Sequence, residues 1–372
     1  MSDNTGKPVW KSILVLIGGP ILAVTLLPWY GFTYGFSAGA WILFGAFMMG
    51  TGVAITAGYH RLWSHKAYKA NFMIRLVLMI LGSATMQNSV IKWASDHRKH
   101  HRFVDDPKKD PYAFTRGFWF AHFGWMLRYA SPEVEKIENV DDLFADKLLA
   151  FQHKHYVPLA VFSCFVLPGL IGLSFGSFWG GVLLAGLLRM VLNHHFTFFI
   201  NSLAHFVGKR PFSDQNTARD NALVSLVSYG EGYHNFHHKF AGDYRNGIHW
   251  YDFDPSKWLI SACSKFGWTK DLKRTPKQII EAAQAKVRLA EAQENLEKND
   301  HLQEWKEKIE VQYQHFTQSI TAWAKARQEW VAAKKEKLSH ESTVELKEKY
   351  KLLKKKFKLE KKLWMRVSAF SS

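Results

Sequence analysis

Four stretches of this chain are apolar and almost free of charge, and between them the pattern turns polar and basic. The runs cover about 12–34, 37–57, 156–175 and 177–199. Each is long enough to cross a bilayer as a helix, which takes roughly 20 apolar residues. A short uncharged turn at 32–37 joins the first two, and another around Gly176 joins the last two, so the pattern predicts two membrane hairpins. A fifth apolar stretch, 71–93, contains Arg75 and ends in polar residues. An even number of crossings keeps the basic segments on one side. The stretch is therefore expected to be an interfacial or re-entrant helix, with a fifth span as the competing reading.

The pattern changes at about Pro276. From there to Arg366 Lys, Glu, Gln and Ala dominate and Gly is absent. Thr275 followed by Pro276 fits a helix start. Ile309, Tyr313, Phe316, Ile320, Trp323 and Trp330 follow 4–3 spacing, as in a coiled-coil seam. The stripe breaks near 339–343, where Ser342 and Glu345 could form a capping box. It resumes at Leu346, Tyr350, Leu353, Phe357 and Trp364. The expected division is a membrane domain at 1–275 and a charged helical extension at 276–372, whose role is left open between self-association, recruiting a partner, lying on anionic phospholipid through its Lys-rich end (347–362) and a solvated appendage without catalytic role.

Charge sets the expected orientation. The net charge is +17, which by itself suggests nucleic acid, but bilayer-length apolar runs point to a membrane and no nucleic acid is expected as a partner. Both hairpin tips lack Lys and Arg. Lys7 and Lys11 precede the first run, and Arg61, Lys66, Lys69, Lys92, Arg98, Lys99, Arg102, Lys108 and Lys109 lie between the hairpins. The positive-inside rule then places both termini and the middle segment in the cytoplasm. Residues 1–11 show no cleavable signal pattern. The only cysteines, Cys164 and Cys263, have no CxxC partner, so no disulfide framework or thiolate zinc site is expected.

Half of the 18 histidines are clustered. HRLWSH holds His60 and His65, HRKHH holds His97, His100 and His101, and HNFHH holds His234, His237 and His238. In the last two the i, i+3, i+4 spacing puts three imidazoles on one helix face, aimed at a single point. NSLAH adds Asn201 and His205 at the end of the fourth run. His122, His153, His155, His249, His301, His315 and His340 are expected to be packing or surface residues. His194 and His195, inside the fourth run, are expected to face the protein interior. Nine imidazoles are too many for one ion and suit two. The missing HExxH argues against a zinc hydrolase, and a redox pair of irons fits better, although ligand type alone does not exclude zinc. A lipid methylene beside such a centre has no acidic proton, so acid–base chemistry cannot act on it. An oxidant made from O2 can.

At these residues the chain closely resembles the membrane acyl-CoA desaturases of the stearoyl-CoA (delta-9) type, in their bacterial form. The resemblance covers about 37–257. It is carried by GYHRLWSHKAYKA (58–70), QNSVIKWASDHRKHHRFVDDPKKDPY (87–112), GFWFAHFGWML (117–127), NSLAH (201–205) and GEGYHNFHHKFAGDYRNG (230–247). It implies an all-α integral membrane fold of four transmembrane helices, with a cytoplasmic histidine-rich di-metal cap, in a bacterial inner membrane. It implies two Fe ions held by the nine clustered histidines, with Asn201 reaching one metal through water and O2 as co-substrate. It also implies a bent acyl tunnel lined by Gln87, Trp93 and Thr197, with Asn88 and Asp96 near the carrier head group. Trp93 could instead be an interfacial anchor, and Asp96 could orient a ligand imidazole. Where the family has Arg just before that Asp, this chain has Ser95, which weakens the case for coenzyme A as the carrier. Asp105, Asp106 and Asp110 are expected at the surface or behind the ligands. With no His-Pro-Gly-Gly haem motif, the two electrons are expected from a separate ferredoxin, cytochrome or reductase. The rival readings are a di-iron hydroxylase and a non-catalytic metal-binding scaffold.

Overall fold

Serine and asparagine side chains set where the helices begin. In a computed structural model, which describes residues 6–298, 305–336 and 339–369, Ser37 Oγ accepts from Ala40 N, Asn71 Oδ1 from Ile74 N, Ser89 Oγ from Lys92 N, and Ser177 Oγ from Gly180 N. Each satisfies an N–H that the helix itself leaves without a partner. Four helices are long and apolar enough to cross a membrane: α1 (Trp10–Thr33), α2 (Ala38–Ser64), α6 (Tyr156–Leu173) and α7 (Phe178–Phe206). Helices α3 (Phe72–Ser83), α4 (Val90–Phe103) and α5 (Lys147–Lys154) lie between α2 and α6. After α7 come α8 (Ala222–Val227), α9 (His234–Lys239) and α10 (Pro255–Lys265). A two-stranded antiparallel ribbon pairs β1 (Lys69–Ala70) with β2 (Thr269–Lys270).

Two of the spanning helices overrun their apolar runs. α2 was expected to end near Ala57 and continues to Ser64, carrying His60 with it; α7 continues past 199 to carry Asn201 and His205. The stretch expected as one helix over 71–93 is instead broken. α3 has 12 residues, about 18 Å at 1.5 Å per residue and too short to span. Met86 and Asn88 then take φ of 56° and 75°, and α4 begins beyond the break. Small residues allow the close approaches. A Cβ on Gly181 would come 2.1 Å from Pro168 O, which brings the α6 and α7 backbones together. A Cβ on Gly82 would meet the Tyr59 ring at 2.3 Å.

The chain divides into two compact units, 1–209 with 216–274, and 275–372 with 210–215. The second contains α11 (Lys277–Lys298), α12 (Trp305–Lys335) and α13 (His340–Val367). Their shared core holds Ala285, Leu296, Ile309, Phe316, Trp323, Phe357 and Trp364. The stripe expected as a coiled-coil seam is thus covered by the unit's own helices, with Tyr313 and Trp330 half-buried at its edge. The cap of α13 is Ser339, whose Oγ accepts from Ser342 N; the expected box on Ser342 does not form, because that residue already lies inside the helix.

Candidate metal centre

The nine clustered histidines meet in one place. His60 and His65 come from the end of α2, His97, His100 and His101 from α4, His205 from α7, and His234, His237 and His238 from α9. They form two groups that could each hold an ion: His60, His65, His97, His101 and His237, and His100, His205, His234 and His238. Within each group the donor nitrogens lie within 4.8 Å of one another. The Nε2 pairs His60–His237, His237–His101, His65–His97, His234–His205 and His238–His234 are 3.0, 3.0, 2.8, 3.1 and 3.0 Å apart. The groups adjoin through His101 and His238, whose rings stack 4.4 Å apart.

The local backbone explains the convergence. His65 N donates to His60 O at 3.0 Å, an i→i+5 bond. Widening the last turn of α2 in this way brings residues five apart to one side, a distortion typical of functional positions. Contrary to the expectation from their spacing, the two HxxHH triplets do not each aim at a single point. Each splits, with His97 and His101 in the first group and His100 in the second, and His234 and His238 in the second and His237 in the first. Residues i+3 and i+4 lie about 100° apart around a helix, so each triplet serves two centres.

The donor set fits cations. His100 Nδ1 donates to Asp110, 2.9 Å away, and a carboxylate can only accept. Thr217 Oγ1 donates to Asp105 Oδ1 at 2.7 Å, so it accepts from His205 Nδ1, also at 2.7 Å. Glu231 Oε2 stands 2.9 Å from His60 Nδ1. For His100 and His205 the proton sits on Nδ1 and the Nε2 lone pair points inward, as metal-ligating histidines require. His237 Nε2 faces both His60 and His101 but can carry one proton at most, so lone pairs meet unless a cation lies between them. Nitrogens on adjacent sites of an ion at about 2.1 Å stand about 3.0 Å apart, which matches the spacing here. Burial first, and neighbouring imidazoles second, push His65, His97, His101, His234, His237 and His238 well below the ordinary imidazole value, keeping them neutral and able to ligate.

A cavity of about 610 Å³ reaches this cluster, within the usual range for small-molecule sites of ~300–1,000 Å³. His60, His97, His100, His234 and Asn201 line it together with Leu14, Val15, Ile55, Met86 and Val157. The expected substrate residues Gln87, Asn88, Trp93, Asp96 and Thr197 also line it. Gln87 Nε2 donates to Thr197 Oγ1 at 3.0 Å, and the Trp93 ring stacks on His97 at 4.9 Å. Asp96 is buried and paired with Lys92 at 2.7 Å, so it orients no imidazole. Ser95 Oγ donates to Glu138 O and accepts from Glu138 N.

Asp105 and Asp110, expected at the surface or behind the ligands, do stand behind them, but sequence reasoning passed over the other supports. The sharpest case is Glu231, 1% exposed. It faces His60, takes Arg61 Nη2 at 2.8 Å, and accepts from Asn246 Nδ2 at 2.6 Å. Burial opposes its ionisation, but His60 and Arg61 hold its carboxyl at about 2. Arg61 also binds Asp254 at 2.9 Å. The only available signal was GEGYHNFHH itself, in which an acid precedes the first histidine by three residues. Several cations counted toward orientation are also structural: Arg61 is buried, Arg98 pairs with Asp142, and Lys99 donates to three carbonyls. His301 lies outside the described residues.

A chain with four bilayer-length helices and two imidazole cages beside a greasy cavity belongs to a narrow class of membrane proteins. A sequence model described as fatty acid desaturase matches residues 38–271, and the chain belongs to that family. It is 42% identical over 274 residues to the probable acyl-CoA desaturase of Schizosaccharomyces pombe, covering 73% of this chain and 56% of that protein. It is 46% identical over 233 residues to acyl-CoA desaturase 1 of Saccharomyces cerevisiae, covering 62% and 46%. It is 38% identical over 280 residues to stearoyl-CoA desaturase of Homo sapiens, covering 73% and 76%. The chain thus spans about half the length of the two fungal relatives. These relatives are fungal and animal and lend no support to the bacterial form or bacterial inner membrane expected from the sequence.

Proposed function

We propose that this protein is an O2-dependent fatty acyl desaturase that places a cis double bond at the delta-9 position of a saturated acyl-CoA. The observation that carries the proposal is the meeting of nine clustered imidazoles with the apolar cavity. In this reading α1 with α2 and α6 with α7 are transmembrane hairpins, and the histidine cap and both termini lie in the cytoplasm.

Two iron ions held by the five- and four-histidine groups would supply the oxidising power that removing hydrogen from an unactivated methylene demands. Overall the acyl chain loses two hydrogens, and O2 with two electrons and two protons becomes two waters. The electrons come from a separate ferredoxin, cytochrome or reductase, drawn to the basic cytoplasmic face. Asn201 reaches the four-histidine group through water, where one imidazole fewer leaves room. Glu231, Asp110 and the Asp105–Thr217 pair fix ligand tautomers. Trp93 walls the cavity beside His97, and the Gln87–Thr197 bond sets a bend that fixes which carbons stand nearest the cluster. Asn88 and Asp96 lie toward the carrier.

Expression in a desaturase-deficient host, followed by gas chromatography of fatty acid methyl esters, tests this. New monounsaturated chains support it and locate the bond. Hydroxylated chains would convert the proposal to the hydroxylase reading, and unchanged lipid would reject catalysis.

A further inference from the structure

The outer face of α13 combines leucine and lysine in a way that the core of its unit does not use. Leu352, Leu359 and Leu363 are 67%, 57% and 37% exposed. At 100° per residue they fall within about 40° of one another, a row roughly 16 Å long. Phe357 and Trp364 occupy the opposite side and are buried in the three-helix core. Lys355, Lys356, Lys362 and Arg366 flank the row, are exposed, and form no ion pair among the described residues. From Lys351 to Arg366 there are eight basic residues and one acid, Glu360, and Glu360 turns inward to accept from Gln312 at 2.9 Å.

We infer that this face of α13 lies on a bilayer surface rich in anionic phospholipid, an inference that rests on the membrane-spanning reading above. The leucines would enter the boundary between headgroups and acyl chains, while the lysine stems reach outward so that their ammonium groups meet phosphate and carboxylate. A second copy of the same face would meet it with like charge. Nucleic acid would match the charge but leave the central leucines in contact with phosphate and water. The spanning helices of the same chain already keep the unit near a membrane, which raises the local concentration of lipid around it.

The test uses the full chain in nanodiscs, with a nitroxide on Leu359→Cys and, as control, on the exposed His315→Cys of α12. Both native cysteines are buried, so labelling is selective. Collisions with O2 are compared with collisions with a hydrophilic nickel complex. Moving from phosphatidylcholine to a phosphatidylserine mixture should raise the oxygen-to-nickel ratio at position 359 by about three-fold or more. It should leave position 315 unchanged, and K355E/K356E/K362E/R366E should abolish the rise. Equal ratios in both lipids, or a response only to added nucleic acid or acidic protein, would overturn the inference. A chain that does not enter nanodiscs at all would instead overturn the membrane-spanning reading, so the two failures are distinguishable.

Discussion

The two units of this protein differ in how many ionisable side chains they bury. In the histidine-bearing unit the interior holds ionisable groups: His60, Arg61, Asp96, His100, Arg189, Glu231 and Asp254 are all 5% exposed or less. In the α11–α13 unit the core cluster is hydrocarbon and aromatic rings, with Trp323 stacked on Phe357 at 4.5 Å. Burying charge is costly unless it is paired and hydrogen-bonded, whereas packed rings stabilise by area alone. One unit buries ionisable groups around a cluster of imidazoles, and the other shows no such cluster among its described residues.

The largest break in that comparison should come from His237→Ala. Its Nε2 touches both His60 and His101, so its loss opens the five-histidine group. Double-bond formation should fall to background and iron content by metal analysis should drop, with the folding of the α11–α13 unit unchanged. Glu231→Ala comes next. It leaves Arg61 with Asp254 as its remaining carboxylate partner and frees His60, which should cost about 1–3 kcal/mol in thermal unfolding of the histidine unit and about 10–100-fold in metal affinity. Glu231→Gln should recover part of the stability and less of the affinity.

Phe357→Ala tests the other side. The ring is 2% exposed, and its removal should cost the α11–α13 unit about 3–5 kcal/mol. Hydrogen exchange should show local loosening there while desaturation continues. A smaller effect is expected at the bend. Thr197→Val leaves the Gln87 amide without its partner and should cost about 1–3 kcal/mol, whereas Gln87→Leu with Thr197→Val should restore much of it. Both should change the position of the new double bond, read by gas chromatography, because the cavity wall has moved.

How much of this was legible in the sequence differs between ligands and their supports. The ligands stood out because imidazoles at i, i+3, i+4 are rare except where a metal is held. Their division between two centres was not legible, since it depends on the 100° between neighbouring side chains and on which other helices face them. Among the supports, Asp105 and Asp110 were legible as candidates, but the others were hidden by distance along the chain. Arg61 meets Glu231 across 170 residues and Thr217 meets Asp105 across 112, so no local spacing announces either pair. The spanning helices were legible from hydropathy, but not their polar ends. α2 and α7 continue past the apolar runs because packing against α4 and the following loops, rather than lipid, covers their last turns. The break at 84–89 was missed because Gly82–Asn88 contains no proline. It is held by Arg189 and His194, which accept no help from local sequence and bond Ala84 O and Thr85 O from α7.

The smallest expected effect lies at the edge between buried and solvated charge. Asp142 binds Arg98 through both oxygens, at 2.7 and 3.0 Å, and Lys66 at 2.9 Å. Partial burial opposes its ionisation, but Arg98 and Lys66 outweigh it and hold the carboxyl at about 2, below its ordinary 3.8. Because the folded value is the lower one, the pairing stabilises fully above 3.8 and is lost as pH falls from 3.8 toward 2. The side chain is 32% exposed, so solvent screening keeps the contribution below about 1 kcal/mol. Asp142→Asn should therefore lower the melting temperature slightly at neutral pH, and the gap from the parent protein should close as the pH falls through that window. A gap that persists at low pH would mean that Asp142 acts through packing rather than charge. That would move it from the solvated edge into the buried polar framework that holds Arg98 beside His97.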